Sequence, residues 1–275
     1  MYDEPFADPS AIPTSLLAAF AKRDVTVALS GDGGDELFGG YSRYPYCADT
    51  WNTAQRNARA LRAKLSRVRR GNRAARPRSR EQIFCDVRSF CRDPQSVVIG
   101  ATEPPTFLAR PDIGPVSDDY EAWMMHADLV TYLPDFILTK VDRATMAHSL
   151  EARAPFLDHR LVEFALTLPT STRIRDGQGK WILRRVLDRY IEPGLVDRPK
   201  AGFEPPLGSW LRTTLRDWAE PLLDTTRLRA EGFFEPAPVR AWWREHLEGH
   251  DLTYPVWSVL VFQSWLEQRA GAPEV

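Results

Sequence analysis

The residues LSGDGGDELFGGY (29–41) place five glycines, two aspartates and a glutamate directly behind the short apolar run VTVAL (25–29). A β-branched apolar run of that length reads as a buried strand, and SLLAAFAKR (15–23) before it has helix-forming composition. Helix, strand and glycine-rich loop make half of an α/β unit. A parallel strand needs neighbours and cover on both faces. No other run in the chain shows the same character, so the sheet to which VTVAL belongs is expected to lie mostly outside this sequence.

From about residue 47 onward the pattern is helical. Apolar residues recur at three- and four-residue spacings over 79–91, 118–133, 141–149, 157–168, 180–190, 207–223 and 236–248, and 253–266 reads as an apolar closing helix. Within LDHRLVEFALTL, for example, Leu157, Leu161, Phe164, Ala165 and Leu168 share one face. Pro134, Pro155, Pro169, Pro193, Pro199, Pro205 and Pro206 punctuate these segments. The fold class is therefore α/β but mostly helical.

With 275 residues, 43% of them hydrophobic, and nine tryptophans, the chain is long enough for a substantial core. Its formal charge of -1 hides an uneven distribution, because every charged residue from Arg56 to Arg80 is basic. No aromatic residue interrupts that run to stack on bases, which favours a solvated helix and loop over a nucleic-acid surface. Cys47, Cys85 and Cys91 form no CxxC pair and make an odd count, so neither a disulfide framework nor a zinc site is indicated. No apolar stretch reaches the ~20 residues needed to cross a bilayer, and MYDEPFADPS lacks signal-peptide regions. A cytoplasmic protein without nucleic-acid or membrane partners is expected.

The loop can be set against known phosphate chemistry. Gly31-x-Gly33 fails the dinucleotide pattern, which needs a small residue where Glu36 stands, and no GK[ST] ending makes it a P-loop. Gly31, Gly33 and Gly34 would let backbone approach a ligand closely, whereas Asp32 and Asp35 would repel bare phosphate. A divalent cation reverses that repulsion, since Mg2+ is commonly held by one or two carboxylates plus phosphate oxygens. A metal-bridged polyphosphate is the favoured ligand. A plain tight turn followed by a helix cap uses the same residue types and stays open from composition alone.

Further segments narrow the choice. The loop resembles the SG[DE]GxDE[LI]FGGY signature of the asparagine synthase family, the ATP-dependent synthetase half of glutamine-hydrolysing asparagine synthetases. DEPFADPSAIPT (3–14), LPDFILTKVDRATMAHSLEARAPFLDHRLVEFA (133–165), GKWILRR (179–185) and RPKAGFEPPLGSWLR (198–212) look like that family, in its order. The resemblance implies the carboxy-terminal portion of an adenine-nucleotide α-hydrolase-like (ATP pyrophosphatase) domain with most of its parallel sheet missing. Residues 1–45 would be the remnant of the nucleotide-binding core and 46–275 the helical remainder.

The implied reaction has two steps: aspartate and ATP give β-aspartyl-AMP and pyrophosphate, then ammonia displaces AMP to give asparagine. By position, Ser30 and Gly31 would contact the nucleotide, Asp35 would hold Mg2+, Asp32 would support the acyl-adenylate and proton transfer from ammonia, and Lys180 would stabilise the departing pyrophosphate. Position 32 is glutamate in many relatives, so the aspartate here has a shorter reach. Lys140, Asp142 and Arg143 would border the aspartate site, and Lys200 would shape the pocket entrance. Glu151, Arg153 and Asp158 read as a structural ion-pair network. His148 lacks a third ligand and reads as a helix-surface or core histidine rather than a metal ligand.

Two family features are absent from the sequence: the SGGxDS phosphate loop, and the glutaminase domain with its terminal cysteine. The chain is therefore expected to be the carboxy-terminal portion of a synthetase domain, either a truncated gene product or one half of a split enzyme whose upstream half another polypeptide would supply as a partner. A β-lactam synthetase or lasso-peptide cyclase type of ligase is the related alternative, and a non-catalytic remnant that exposes the surface of the lost strands is the other.

Overall fold

The computed structural model describes residues 1–65, 79–102, 118–192, 195 and 202–270. The first helix, α1 (Ala11–Ala21), begins where the Asp8 carboxylate accepts hydrogen bonds from the Ser10 N–H and hydroxyl, at 2.9 and 2.8 Å. It leads into β1 (Val27–Leu29), shorter than the apolar run that announces it. The short helix α2 (Gly34–Phe38) follows the glycine loop, and α3 (Arg43–Leu65) runs on from it. Next come α4 (Arg80–Arg88), opened by a capping box between Ser79 and Gln82, and α5 (Tyr120–Val130), capped by Asp119.

Beyond α5 the chain does not break at Pro134. A π-helical segment, Leu133–Leu138, carries it straight into α6 (Thr139–Met146). Proline lacks an N–H and sits in the first turn of that segment, where the missing donor leaves no ladder bond unmade. After α6, Ser149 adopts a φ of 57° and the chain turns into β2 (Glu151–Arg153). The two strands are parallel, with Val27 opposite Glu151 and Leu29 opposite Arg153. A second strand is a correction to the sequence reading. Glu-Ala-Arg carries no β-branched residue, and only the pairing with β1 makes it a strand.

The remaining described residues form eight α-helices: α7 (His159–Thr167), α8 (Thr170–Arg173), α9 (Trp181–Leu187), α10 (Leu207–Arg212), α11 (Arg216–Leu222), α12 (Thr225–Glu231), α13 (Pro236–Leu247) and α14 (Thr253–Ala270). The single helix expected over 207–223 is two, split at Thr213 with φ −126° and ψ −95°. Among the described residues no helix is long and apolar enough to cross a membrane. Most of the arginine-rich run lies outside the described residues.

Three apolar clusters hold these elements. Leu211, Leu223, Leu228, Trp243 and Leu260 centre the carboxy-terminal helices. Tyr44, Phe84, Trp123 and Met124 join α3, α4 and α5. Leu37, Phe38 and Ala165, with Phe156, Leu161 and Ile182 against them, clamp α2 between α7 and α9. The glycine loop thus enters a helix that is seated on both sides.

Asp224 caps α12 by accepting from the N–H groups of Thr226 and Arg227 at 2.8 and 3.1 Å. Asp224→Ala is expected to lower stability by ~1 kcal/mol, read as a shift in the denaturant midpoint at unchanged slope.

Candidate active site

The loop leaves β1 through a turn in which the Gly34 N–H donates to the Gly31 carbonyl at 3.2 Å. Gly33 has a φ of +84°, and a Cβ there would overlap the Leu157 side chain. That turn aims Asp35, in the first turn of α2, at Lys180: Oδ1 and Nζ are 3.2 Å apart. Lys180 is delivered by a tight turn at Asp176 and Gly177, both at positive φ. Its own φ is 56°, and its N–H donates to the Phe38 carbonyl at 2.8 Å. The ion pair lies across Gly40. A Cβ at Gly40 would overlap both the Asp35 carboxylate and the Lys180 stem, which fixes glycine at this position.

Beside the pair opens a cavity of about 410 Å³. Gly31, Asp32, Gly33, Asp35 and Glu36 form one side, Asp8, Ser10 and Lys140 another, and Tyr41, Arg43, Tyr132 and Phe136 a third. Lys140 is held by Asp8 at 3.0 Å and donates to the Ser10 hydroxyl at 2.8 Å. Tyr41 donates to Glu36 at 2.7 Å, and Tyr254 hydrogen-bonds Glu204. Each of these acids has a partner. Asp32 makes no hydrogen bond or ion pair among the described residues.

Behind the aromatic wall sits a buried charge knot. The fully buried Asp128 carboxylate takes Arg43, at 2.7 Å, and the Tyr44 hydroxyl, at 2.8 Å, on one oxygen and Arg88, at 3.0 Å, on the other. The Arg43 guanidinium in turn lies 3.6 Å from the centre of the Tyr41 ring. Asp128 therefore fixes Arg43, Arg43 steadies Tyr41, and Tyr41 holds Glu36.

Of the residues picked out by sequence, Gly31, Asp32 and Asp35 line the cavity and Lys180 is tied to Asp35. Ser30 stands at the end of β1 with its hydroxyl buried and no partner among the described residues. Lys140 borders the cavity. Arg143 pairs instead with Asp3 at the surface, and Asp142 is exposed. Glu151 and Arg153 bridge at 2.7 Å, but Asp158 joins Arg160 rather than them, so the expected network is two separate exposed pairs. His148 faces the Ser15 hydroxyl at 2.9 Å. Lys200 lies outside the described residues.

Sequence reasoning missed Asp8, Glu36, Tyr41, Arg43 and Asp128. Glu36 and Tyr41 stand inside the opening motif, where DEL reads equally as a helix cap. Asp128 carried no signal, since a single acid in a helical apolar pattern looks like a surface residue.

A sequence profile described as asparagine synthase matches residues 1–267. The chain belongs to the asparagine synthase family. A Mycobacterium tuberculosis protein named as an asparagine synthetase (glutamine-hydrolyzing) is 33% identical over 280 residues, covering 96% of this chain and 42% of the relative. The asparagine synthetase (glutamine-hydrolyzing) 1 of Bacillus subtilis is 28% identical, covering 96% of this chain and 44% of the relative. The Gallus gallus asparagine synthetase (glutamine-hydrolyzing) is 32% identical over half of this chain. This member of the asparagine synthase family spans less than half the length of the first two relatives.

Burial pushes the Glu36 carboxyl above its ordinary range, and the hydrogen bond from Tyr41 opposes that shift only in part. The folded chain therefore holds this proton to higher pH than the unfolded chain does. The group favours the fold at acid pH, and its contribution is lost as pH rises through the folded value. Glu36→Gln keeps an acceptor for Tyr41 and cannot ionise. Its melting temperature relative to the parent is expected to climb as pH rises from the ordinary carboxylate range through the folded value; a difference that stays flat over that rise contradicts the assignment.

Proposed function

We propose that this chain supplies the acidic-loop side of an ATP-dependent amide-forming site that converts aspartate to asparagine. The observation that carries it is the Asp35–Lys180 pair at 3.2 Å, set across Gly40 at the rim of a polar cavity that Asp32 also lines. Residues 1–45 are read as the nucleotide-binding remnant of an adenine-nucleotide α-hydrolase-like domain, completed by an upstream half with the phosphate loop and the glutaminase.

The residues fit a nucleotide and magnesium. Space beside Gly31 is open, the Ser30 hydroxyl is buried with no partner among the described residues, and two carboxylates three residues apart leave most of a magnesium shell to phosphate oxygens. Among the described residues no set of three or more His, Cys, Asp or Glu side chains is grouped to hold a metal alone. Asp35 would hold the ion and Asp32 would flank it; bound there, it draws phosphates to an acidic rim and offsets charge on the leaving pyrophosphate.

In the first step an aspartate β-carboxylate oxygen attacks the α-phosphorus of ATP, and pyrophosphate leaves with the β-aspartyl group joined to AMP. Lys180 places an ammonium where negative charge builds on the leaving oxygens. Lys140, held in place by Asp8, offers a second cation for a substrate carboxylate. In the second step ammonia attacks the activated carbonyl and AMP departs. Asp32, which has no partner among the described residues, accepts the proton that the incoming nitrogen must lose.

The test is AMP release from ATP, Mg2+, aspartate and ammonia, by the folded chain alone and after addition of an upstream half. AMP that depends on both aspartate and that half is expected. Within the active assembly, Asp35→Asn and Lys180→Ala are each expected to slow AMP formation on the order of 100-fold with an unchanged melting temperature. Aspartate-independent turnover, or full activity in both variants, overturns the reading.

A further inference from the structure

We infer that Arg43 is the group on the cavity wall that binds the second carboxylate of the substrate, the α-carboxylate of the amino acid, and so decides which acids the site accepts. The identity of that ligand rests on the function proposed above; the cation itself rests on geometry and charge.

An aspartate whose β-carboxylate is directed at phosphorus still carries an α-ammonium and an α-carboxylate. Five acids line the cavity, so the ammonium is readily matched and the carboxylate is the group that the wall repels. It needs a cation with charge to spare. Among the described residues two cations line the cavity, Lys140 and Arg43. Lys140 has its counter-ion, Asp8, in the same wall at 3.0 Å. The one ion-pair partner of Arg43 among the described residues is Asp128, fully buried behind the wall and shared with Arg88 at 3.0 Å. Glu36 spends its carboxylate on Tyr41 and pairs with neither arginine. A single carboxylate between two guanidiniums leaves positive charge in excess, and such charge is costly to bury until an anion meets it.

The guanidinium is also held in one orientation. Nε and Nη2 donate to the same Asp128 oxygen at 3.1 and 2.7 Å, and the central carbon lies 3.6 Å from the centre of the Tyr41 ring and 4.9 Å from that of Tyr132. Both tyrosines line the cavity beside it. The bonds to Asp128 use one edge of the fork. Nη1 makes no hydrogen bond or ion pair among the described residues, and its donors are what Arg43 has left for a ligand.

The Arg43 side chain is 17% exposed, so a carboxylate meeting it leaves bulk water and finds a donor already fixed in place. A phosphate fits less well. The phosphate end of the proposed site lies with Asp35 and Lys180 on the loop side, whereas Arg43 stands in the aromatic wall.

The test is an NMR-followed titration of the folded full chain with L-aspartate, with β-alanine, which is aspartate without its α-carboxylate, and with magnesium pyrophosphate. The parent is expected to bind aspartate about tenfold or more tighter than β-alanine, because a site built to bond a group rejects the analogue that lacks it. Arg43→Gln weakens aspartate by about tenfold or more and leaves β-alanine and pyrophosphate within about twofold. Arg88→Gln removes the other arginine of the knot, outside the cavity wall, and keeps the preference for aspartate. Either variant leaves Asp128 one arginine, and thermal melts confirm the fold; Arg43→Lys, which keeps the charge and loses the fork, carries the same comparison if Arg43→Gln does not fold. No aspartate binding, equal affinity for aspartate and β-alanine in the parent, a loss in the Arg43 variant that β-alanine shares or that falls on pyrophosphate, or the same loss of preference in Arg88→Gln overturns the inference. AMP assays in the active assembly separate it from the proposed function: Arg43-dependent choice of aspartate without AMP rejects only the function, and aspartate-dependent AMP formation indifferent to the Arg43 variant rejects only this assignment.

Discussion

The approach of two backbones at Gly40 sets the rest of the site. An ion pair as exposed as Asp35 and Lys180, 25 and 36% accessible, contributes little stability by itself. Its geometry comes from the chain around it. Lys180 sits in a left-handed conformation that a lysine adopts only when held, and its N–H is fastened to Phe38, the last residue of α2. Phe38 and Leu37 are locked in the cluster with Ala165 and Ile182. The position of the ammonium is thus a property of the packed core, handed on through one hydrogen bond and one missing side chain.

The same economy governs charge around the cavity. Five acids line it, and four are tied down: Asp8 by Lys140, Asp35 by Lys180, Glu36 by Tyr41 and Glu204 by Tyr254. Burial makes an uncompensated charge costly, and the two buried acids of the cavity, Asp8 and Glu36, both have partners. Asp32 is half-buried and makes no hydrogen bond or ion pair among the described residues. On the proposed reading a proton acceptor and a cation ligand both need such a carboxylate, and the loop places it three residues from Asp35, which faces the Lys180 ammonium.

The helices and the acidic loop were legible because each has a local signature: three- and four-residue apolar spacing for the helices, a dense run of Gly, Asp and Glu for the loop. Where the chain departs from local rules, the sequence was silent or misleading. Glu151–Arg153 becomes a strand only through β1, and no propensity announces it. Pro134 looked like a break and is instead the start of a π-helical turn. Lys180, Ser30 and Asp35 were singled out through a motif rather than through any periodic signal. Asp128, Arg43 and Arg88 converge from three separate helices on a buried point, and convergence of that kind has no trace in a single sequence.

The odd pieces of local structure share a location. The π-helical segment Leu133–Leu138 enters α6 and β2 leaves it, so α6 is fixed at both ends by the two elements that sequence reading misjudged. Lys140, from the first turn of α6, reaches the cavity, while β2 carries β1 and hence the acidic loop. α1 packs along α6, and Lys22 just past its end donates to the Ser149 carbonyl at 2.6 Å. One short helix therefore ties the cavity's second cation, the loop strand and the apolar face of α1 into a single rigid unit. Because packed cores shift as units rather than bend, the placement of Lys140 and that of the loop strand depend on one another through α6.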